Sequence, residues 1–295
     1  MKSPLLIFNQ NGIYCPIANV YIDAWRPVDK VIISHGHADH SKYGHKFYLT
    51  HPNNVPIVKH RLGNVNIESK KWGEKFLING VQFSLHPAGH VIGSSQVRVE
   101  YKGDVWVYSG DYKREDDGIS TPFEPLKCNT FITECTFGLP AFNWKKQDVV
   151  INEINDFWKE CKSNGQTAVV FAYSLGKAQR LIANLDLEIG DILTHGAVEN
   201  LNEVINSTLE YLKVRISKKV NITFATQNNS EIHVRNLNDL KIDNITLFNI
   251  IGQQVRVWNS NLKNEKIILP LDFYLSSGAY LLRIQTNKGV VSRKI

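Results

Sequence analysis

The chain has 295 residues, 43% of them hydrophobic, and a formal net charge of +6. That length allows one large or two modest domains with a filled core, and no apolar run approaches the ~18 residues a membrane-spanning helix needs. The charge is unevenly placed: residues 213–295 hold 13 Lys/Arg against 5 Asp/Glu, while the first 212 residues carry a net charge of −2, so the basic excess says nothing about nucleic-acid binding in the N-terminal part.

The start, Met1-Lys2-Ser3-Pro4-Leu5-Leu6-Ile7-Phe8, has an apolar run too short for a signal peptide and reads as a cytoplasmic beginning. Short strands joined by turns follow to about residue 135: Tyr21–Asp23, Val31–Ile33, Val81–Leu85, Gln96–Tyr101 and Val105–Tyr108, with Lys102-Gly103-Asp104 as a hairpin turn. After Glu134 the period changes. Val150, Ile154, Phe157, Trp158 and Cys161 recur at helical spacing and Asn164-Gly165 closes the helix. Ala168–Phe171 then reads as a strand, about 176–185 as a helix, Asp191–Leu193 as a strand and Val198 to about Leu212 as a helix, the alternation of an α/β unit. From about 215 helix signals vanish. Segments at 245–248, 254–258, 266–269, 280–284 and 290–291, separated by Gly or Asn turns, read as a small antiparallel sandwich. The four cysteines (Cys15, Cys128, Cys135, Cys161) form no CxxC pair, which fits buried free thiols in a reducing compartment.

The chemistry concentrates at His35, His37, Asp39 and His40, which lie within six residues directly after the apolar strand Val31–Ile33. Imidazole nitrogen and carboxylate oxygen suit zinc or another borderline divalent ion. In extended chain, residues two apart point the same way, so His35 and His37 can share one metal. Asp39 and His40, past the turn, can reach a second. His90, in Pro87-Ala88-Gly89-His90-Val91-Ile92-Gly93-Ser94, and Asp111, in Tyr108-Ser109-Gly110-Asp111-Tyr112, each follow a strand. Lys177 and Arg180 lie near a helix start after Gly176, where phosphate binding is plausible beside the plain reading of a solvated helix face.

Together these residues match the His-x-His-x-Asp-His, His, Asp series of the metallo-β-lactamase superfamily. Tyr21–Asp29, His86–His90, Ser109–Lys113, Thr133–Pro140, Tyr173–Arg180 and Thr194–Glu199 resemble, more narrowly, the ligase-associated DNA exonucleases among the β-CASP nucleases, over roughly residues 4–205. The resemblance implies an αββα sandwich over 1–135 and a partial β-CASP α/β region over 136–212. It puts His35, His37 and His90 on one of two divalent metals, zinc or alternatively manganese, and Asp39 and His40 on the other, with Asp111 bridging. Asp23 would support the ligands by hydrogen bonds. Asp39 and Glu134, the latter matching the first β-CASP motif, would take catalytic parts in cleaving DNA single strands or ends. A DNA ligase and a helicase encoded nearby are the expected partners. A complete member continues through further motifs, including the last metal ligand, that do not follow here, so the sandwich is expected to be incomplete. Instead Ile245–Val255, Leu275–Ile284 and Val291–Ile295 resemble a C-terminal sorting domain of the type IX secretion system, which gives residues 213–295 an alternative role in export to the cell surface. On that alternative the chain is an inactive chimera. A third reading, a hydrolase of thioesters or lactams, is disfavoured by the segments around Glu134 and Lys177.

Overall fold

The computed structural model describes residues 3–206 and, beyond them, 219–220, 222–227, 231–236, 241–249, 253–262, 266–270, 280–287 and 289–294. Contacts divide the chain into two compact units: Met1–Ile151 with Ala172–Leu185 and Asn200–Arg215, and Asn152–Phe171 with Asp186–Glu199 and Ile216–Ile295.

The first unit opens with six strands, β1 (Ile7–Asn9), β2 (Gly12–Cys15), β3 (Val20–Ile22), β4 (Lys30–Ile32), β5 (Phe47–Thr50) and β6 (Ile67–Ser69), hydrogen-bonded in that order. Pairing is antiparallel through β3 and parallel from β3 to β6, with helix α1 (Val55–Leu62) crossing between β5 and β6. A second sheet holds β7 (Phe76–Ile78), β8 (Val81–Pro87), β9 (Ser95–Tyr101), β10 (Asp104–Tyr108) and β11 (Thr130–Ile132), in the order β11-β10-β9-β8-β7. Lys102 and Gly103 turn β9 into β10, both with positive φ (49° and 76°), as a two-residue hairpin requires.

Alternation along these strands builds the core. Ile13, Cys15, Val20, Ile22, Ile32 and Leu49 of the first sheet meet Val81, Phe83, Leu85, Val97, Val99 and Tyr108 of the second. The opposite face of the first sheet, Val31, Ile33 and Tyr48, packs with Val58 of α1. The outer face of the second sheet carries Gln82, Glu100 and Arg98, bonded to one another. Helix, sheet and sheet thus stack as three layers of the expected mixed α/β sandwich. Later, α3 (Lys177–Asn184) joins the first unit, where Leu175 and the end of α4 (Gly196–Asn206) pack on Ile57 and Ile92.

Helix α2 (Gln147–Ser163) closes at Gly165, φ 66°, as its sequence predicts. Two expectations fail. Ala168–Phe171 and Asp191–Leu193 are not strands; among the described residues, Thr194–His195 (β12) pairs with Lys219–Val220 (β13). An apolar run becomes a strand only beside a partner, and Val169, Val170 and Phe171 are left exposed. Among the cysteines Cys15 and Cys161 are buried free thiols, whereas Cys135 is exposed. The expected extension of α4 to Leu212 lies partly outside the described residues.

In the second unit the C-terminal strands form a three-stranded sheet, β14 (Ile222–Gln227), β15 (Glu231–Asn236) and β18 (Lys266–Pro270), and a four-stranded one, β17 (Gln254–Leu262), β16 (Ile242–Asn249), β19 (Tyr280–Thr286) and β20 (Gly289–Lys294). Ile232, Val234, Ile267 and Leu269 from one meet Ile245, Leu247, Leu282 and Ile284 from the other in a single core. This is the expected small all-β sandwich.

Candidate metal centre

Each candidate ligand sits just past the end of a strand: the 34–40 loop after β4, His90 after β8, Asp111 after β10 and Glu134 after β11. Glycines let these loops approach closely. A Cβ on Gly36 would stand 2.5 Å from Ile57 Cγ2, so no larger residue fits between His35 and His37 with α1 in place. Gly93, φ 73°, would bring a Cβ to 2.6 Å of the Asn54 backbone nitrogen.

Asp23, 3% exposed, organises the centre. Its carboxylate accepts from the Ser34 backbone N–H (2.7 Å), the Ser34 hydroxyl, the His40 Nδ1–H (2.8 Å) and the Tyr108 hydroxyl (3.2 Å). Burial, then the Asp23 charge, pushes the Tyr108 phenol pKa up, so it stays a donor. The bond at Nδ1 leaves His40 Nε2 facing Asp111, Asp39 and Glu134. On the other side, His37 Nε2 lies 3.2 Å from the Leu175 carbonyl, which fixes Nε2 as the protonated nitrogen and leaves Nδ1 bare. Arg61 donates to the Gly36 carbonyl and the Ser41 hydroxyl, while Ser41 bonds back to the His37 carbonyl, tying the loop at both ends.

Two groups of side chains result. In the first, His35 Nε2 and His37 Nδ1 are 3.0 Å apart, His37 Nδ1 and His90 Nε2 3.2 Å, His90 Nε2 and Asp111 Oδ2 3.4 Å, and His35 Nε2 and Asp111 Oδ2 3.7 Å. Ligands roughly 2.0–2.1 Å from a tetrahedral zinc ion stand about 3.3 Å from each other. Four of the six edges of such a tetrahedron are therefore present, and the N₃O set fits a divalent cation. The second group is His40, Asp111 and Glu134. His40 Nε2 lies 3.2 Å from Asp111 Oδ1, yet that buried oxygen lacks hydrogen-bond geometry, the arrangement of two ligands aimed at a common point. Asp111 belongs to both groups.

Charge follows the same logic. Burial, then the neighbouring imidazoles, holds His35 well below its ordinary value, and burial takes His90 down to about 4, so both stay neutral and able to ligate. Burial also opposes charge on His40, but the carboxylates of Asp111 and Asp23 beside it outweigh that and raise it to about 11. Glu134 is pushed up by burial and by the Asp111 charge. Two carboxylates facing one another beside an imidazolium form a site that a cation can enter by displacing a proton.

Other candidates fall less centrally. Asp39 is 76% exposed and its carboxylate stands 3.6 Å from His40 Nε2, at the rim and outside the converging set. Gly176 caps α3, but its N–H already donates to Gln179 Oε1. Arg180 is bonded to Gln147, and Lys177 Nζ lies 5.2 Å from the Tyr173 ring centre. Sequence reasoning missed Arg61 and the Leu175 carbonyl; neither carries a local signal, since each reaches the loop only through tertiary folding.

This ligand series and sandwich agree with a family match to the metallo-beta-lactamase superfamily over residues 23–150. Residues 23–150 form a metallo-beta-lactamase domain. A second match, to the secretion system C-terminal sorting domain, covers residues 216–295, and the chain carries that domain too. Similar proteins include one named probable DNA ligase from Opitutus terrae, 29% identical over 197 residues (66% of this chain, 19% of that protein). The endoribonuclease ysh1 of Schizosaccharomyces pombe is 27% identical (54% of this chain, 25% of that protein), and an RNase J-like protein of Methanocaldococcus jannaschii 24% (66% and 54%). The chain thus spans from about a fifth to about half the length of these relatives. The superfamily match and the two donor sets agree in pointing to a site whose residues could hold divalent metal.

Because Asp23 sets the His40 tautomer, Asp23→Asn is expected to weaken cation binding at the His40–Asp111–Glu134 group roughly 10–100-fold. Calorimetric titration of metal-free protein with zinc checks this; unchanged affinity at both groups would show that Asp23 does not orient the ligand.

Proposed function

We propose that the protein is a metal-dependent phosphodiester hydrolase acting on nucleic acid, of the ligase-associated DNA exonuclease type. The observation that carries this reading is the pair of adjoining ligand groups joined by Asp111, with Glu134 closing the second. Nuclease names among the relatives support a nucleic-acid substrate, and the relative named as a DNA ligase favours DNA and partnership with ligation. A helicase remains a further expected partner.

In this scheme His35, His37, His90 and Asp111 would hold one cation and His40, Asp111 and Glu134 the other, with Asp39 at the rim the further ligand that the resemblance implies. Cations held there would supply acidification of a water and an offset to negative charge on a phosphate. The N₃O donor set favours zinc, with manganese as the alternative. Asp39, exposed at the rim, would orient the attacking water. Asp23, Ser34 and Tyr108 fix the His40 ring, so ligand geometry is set before substrate arrives. Lys177 is the phosphate-binding candidate with the most accessible charge, Arg180 being engaged with Gln147 and the Gly176 N–H with Gln179. The functional division runs 1–135 as hydrolase core, 136–212 as a partial β-CASP region and 213–295 as the sandwich, with a cytoplasmic site of action.

Purified protein given zinc or manganese is expected to shorten end-labelled single-stranded DNA faster than RNA of the same sequence, while a His37→Ala/Asp39→Ala double variant stays at background. Equal background in both proteins would end the claim of activity.

The match over 216–295 favours a second reading, in which the C-terminal sandwich exports an inactive metallo-beta-lactamase domain to the surface. No helix among the described residues is long and apolar enough to cross a membrane. Expression in a host with type IX secretion, followed by fractionation, separates the readings: surface protein requiring residues 216–295 supports export, and retention inside the cell counts against it.

A further inference from the structure

Immediately after Glu134 the chain forms a loop whose rings point outward. Phe137, Phe142 and Trp144 are 55%, 42% and 67% exposed, yet they contact one another: Phe137 meets Phe142 edge-on at 5.2 Å and Trp144 edge-on at 5.1 Å, while Phe142 and Trp144 lie nearly parallel at 6.1 Å. The loop is folded back on itself, with the Gly138 N–H donating to the Cys135 carbonyl and the Phe142 N–H to the Leu139 carbonyl. Exposed rings held together on an ordered loop present flat apolar faces to solvent, an arrangement that costs free energy unless a ligand covers it.

Position and charge say what the ligand is. The loop is joined to the metal centre through Thr136, whose hydroxyl donates to Glu134 Oε2 at 3.1 Å. Between Glu134 and Asp148 there is no acidic residue, while Lys145 and Lys146 follow Trp144 directly and are exposed. Rings followed by lysines and leading to carboxylates that gather cations suit a polyanion with flat bases. A similar pairing attaches to the other ligand group. Tyr173, 73% exposed, has Lys177 Nζ 5.2 Å from its ring centre and lies two residues before Leu175, whose carbonyl orients His37.

We propose that Phe137, Phe142 and Trp144 form a stacking platform for unpaired bases of a nucleic-acid single strand whose backbone reaches the metal centre beside Glu134. The proposal rests on the hydrolase reading for the direction of the strand and adds the surface that selects single strands. Stacking is indifferent to which base is present, so the platform favours unpaired ends over duplex without sequence preference.

Fluorescence anisotropy with labelled oligothymidine in EDTA, where no cleavage occurs, tests it on the full chain. Trp144→Ala and Phe137→Ala are each expected to weaken binding roughly five- to 150-fold, while Trp144→Phe keeps most of the affinity. An abasic oligomer of equal length should bind wild-type protein no better than oligothymidine binds the alanine variants. Wild-type affinity in both alanine variants, or equal affinity of wild-type protein for the two oligomers, overturns the proposal. So does sedimentation showing that Trp144→Ala converts a dimer to a monomer while oligothymidine binding is unchanged, since the platform would then close on a second copy. Wild-type hydrolysis of bis(p-nitrophenyl) phosphate with zinc or manganese is followed separately. If it is absent while oligomer binding still depends on the rings, the hydrolase reading falls and the platform stands.

Discussion

The buried carboxylate of Asp23 is the constraint on which the rest of the centre depends. It sits at the end of β3 with a positive φ of 44°, and it accepts from the backbone and hydroxyl of Ser34, from His40 and from Tyr108. These donors come from the loop after β4 and from β10, so one side chain ties the two sheets of the sandwich at the point where their ligand loops meet. Buried donors left without an acceptor cost about 1–3 kcal/mol each, which makes this network hard to relax piecemeal. Its chemical consequence is that the His40 ring is held with Nε2 facing Asp111 and Glu134.

Around this anchor the sandwich behaves as a rigid frame and its strand ends as the working surface. Core residues such as Phe83, Leu85, Val97 and Val99 fix β8 and β9, which in turn fix the tight turn bearing His90 between Gly89 and Gly93. Helix α1 contributes Ile57, which presses on Gly36, and Arg61, which holds the carbonyl of the same glycine. Fold and site are therefore not separable: the packing that stabilises α1 also sets the spacing of His35 and His37.

What the sequence disclosed follows from how local each feature is. The ligand loops were legible because each is a short run of His or Asp next to an apolar strand, and the turn at Lys102-Gly103 because two residues decide it. The tautomer of His37 was not, since it depends on a carbonyl 138 residues away. The division of the carboxylates was half legible: Glu134 was visible as an acid near the metals, but its place in the second group, with Asp39 at the rim, comes from how β11 pairs parallel to β10. Ala168–Phe171 misled for the converse reason, its strand-like composition finding no strand to pair with among the described residues. Phe137 read as part of a family motif that ends at Pro140, Phe142 and Trp144 lie beyond it, and only their mutual packing shows the three rings as one surface.

The most direct test of the account is anomalous diffraction at the zinc absorption edge from crystals of the full chain grown with zinc. Two peaks about 3.5–4 Å apart are expected, one enclosed by His35, His37, His90 and Asp111 and the other beside His40, Asp111 and Glu134. A single peak, or none within this set of side chains, would contradict it.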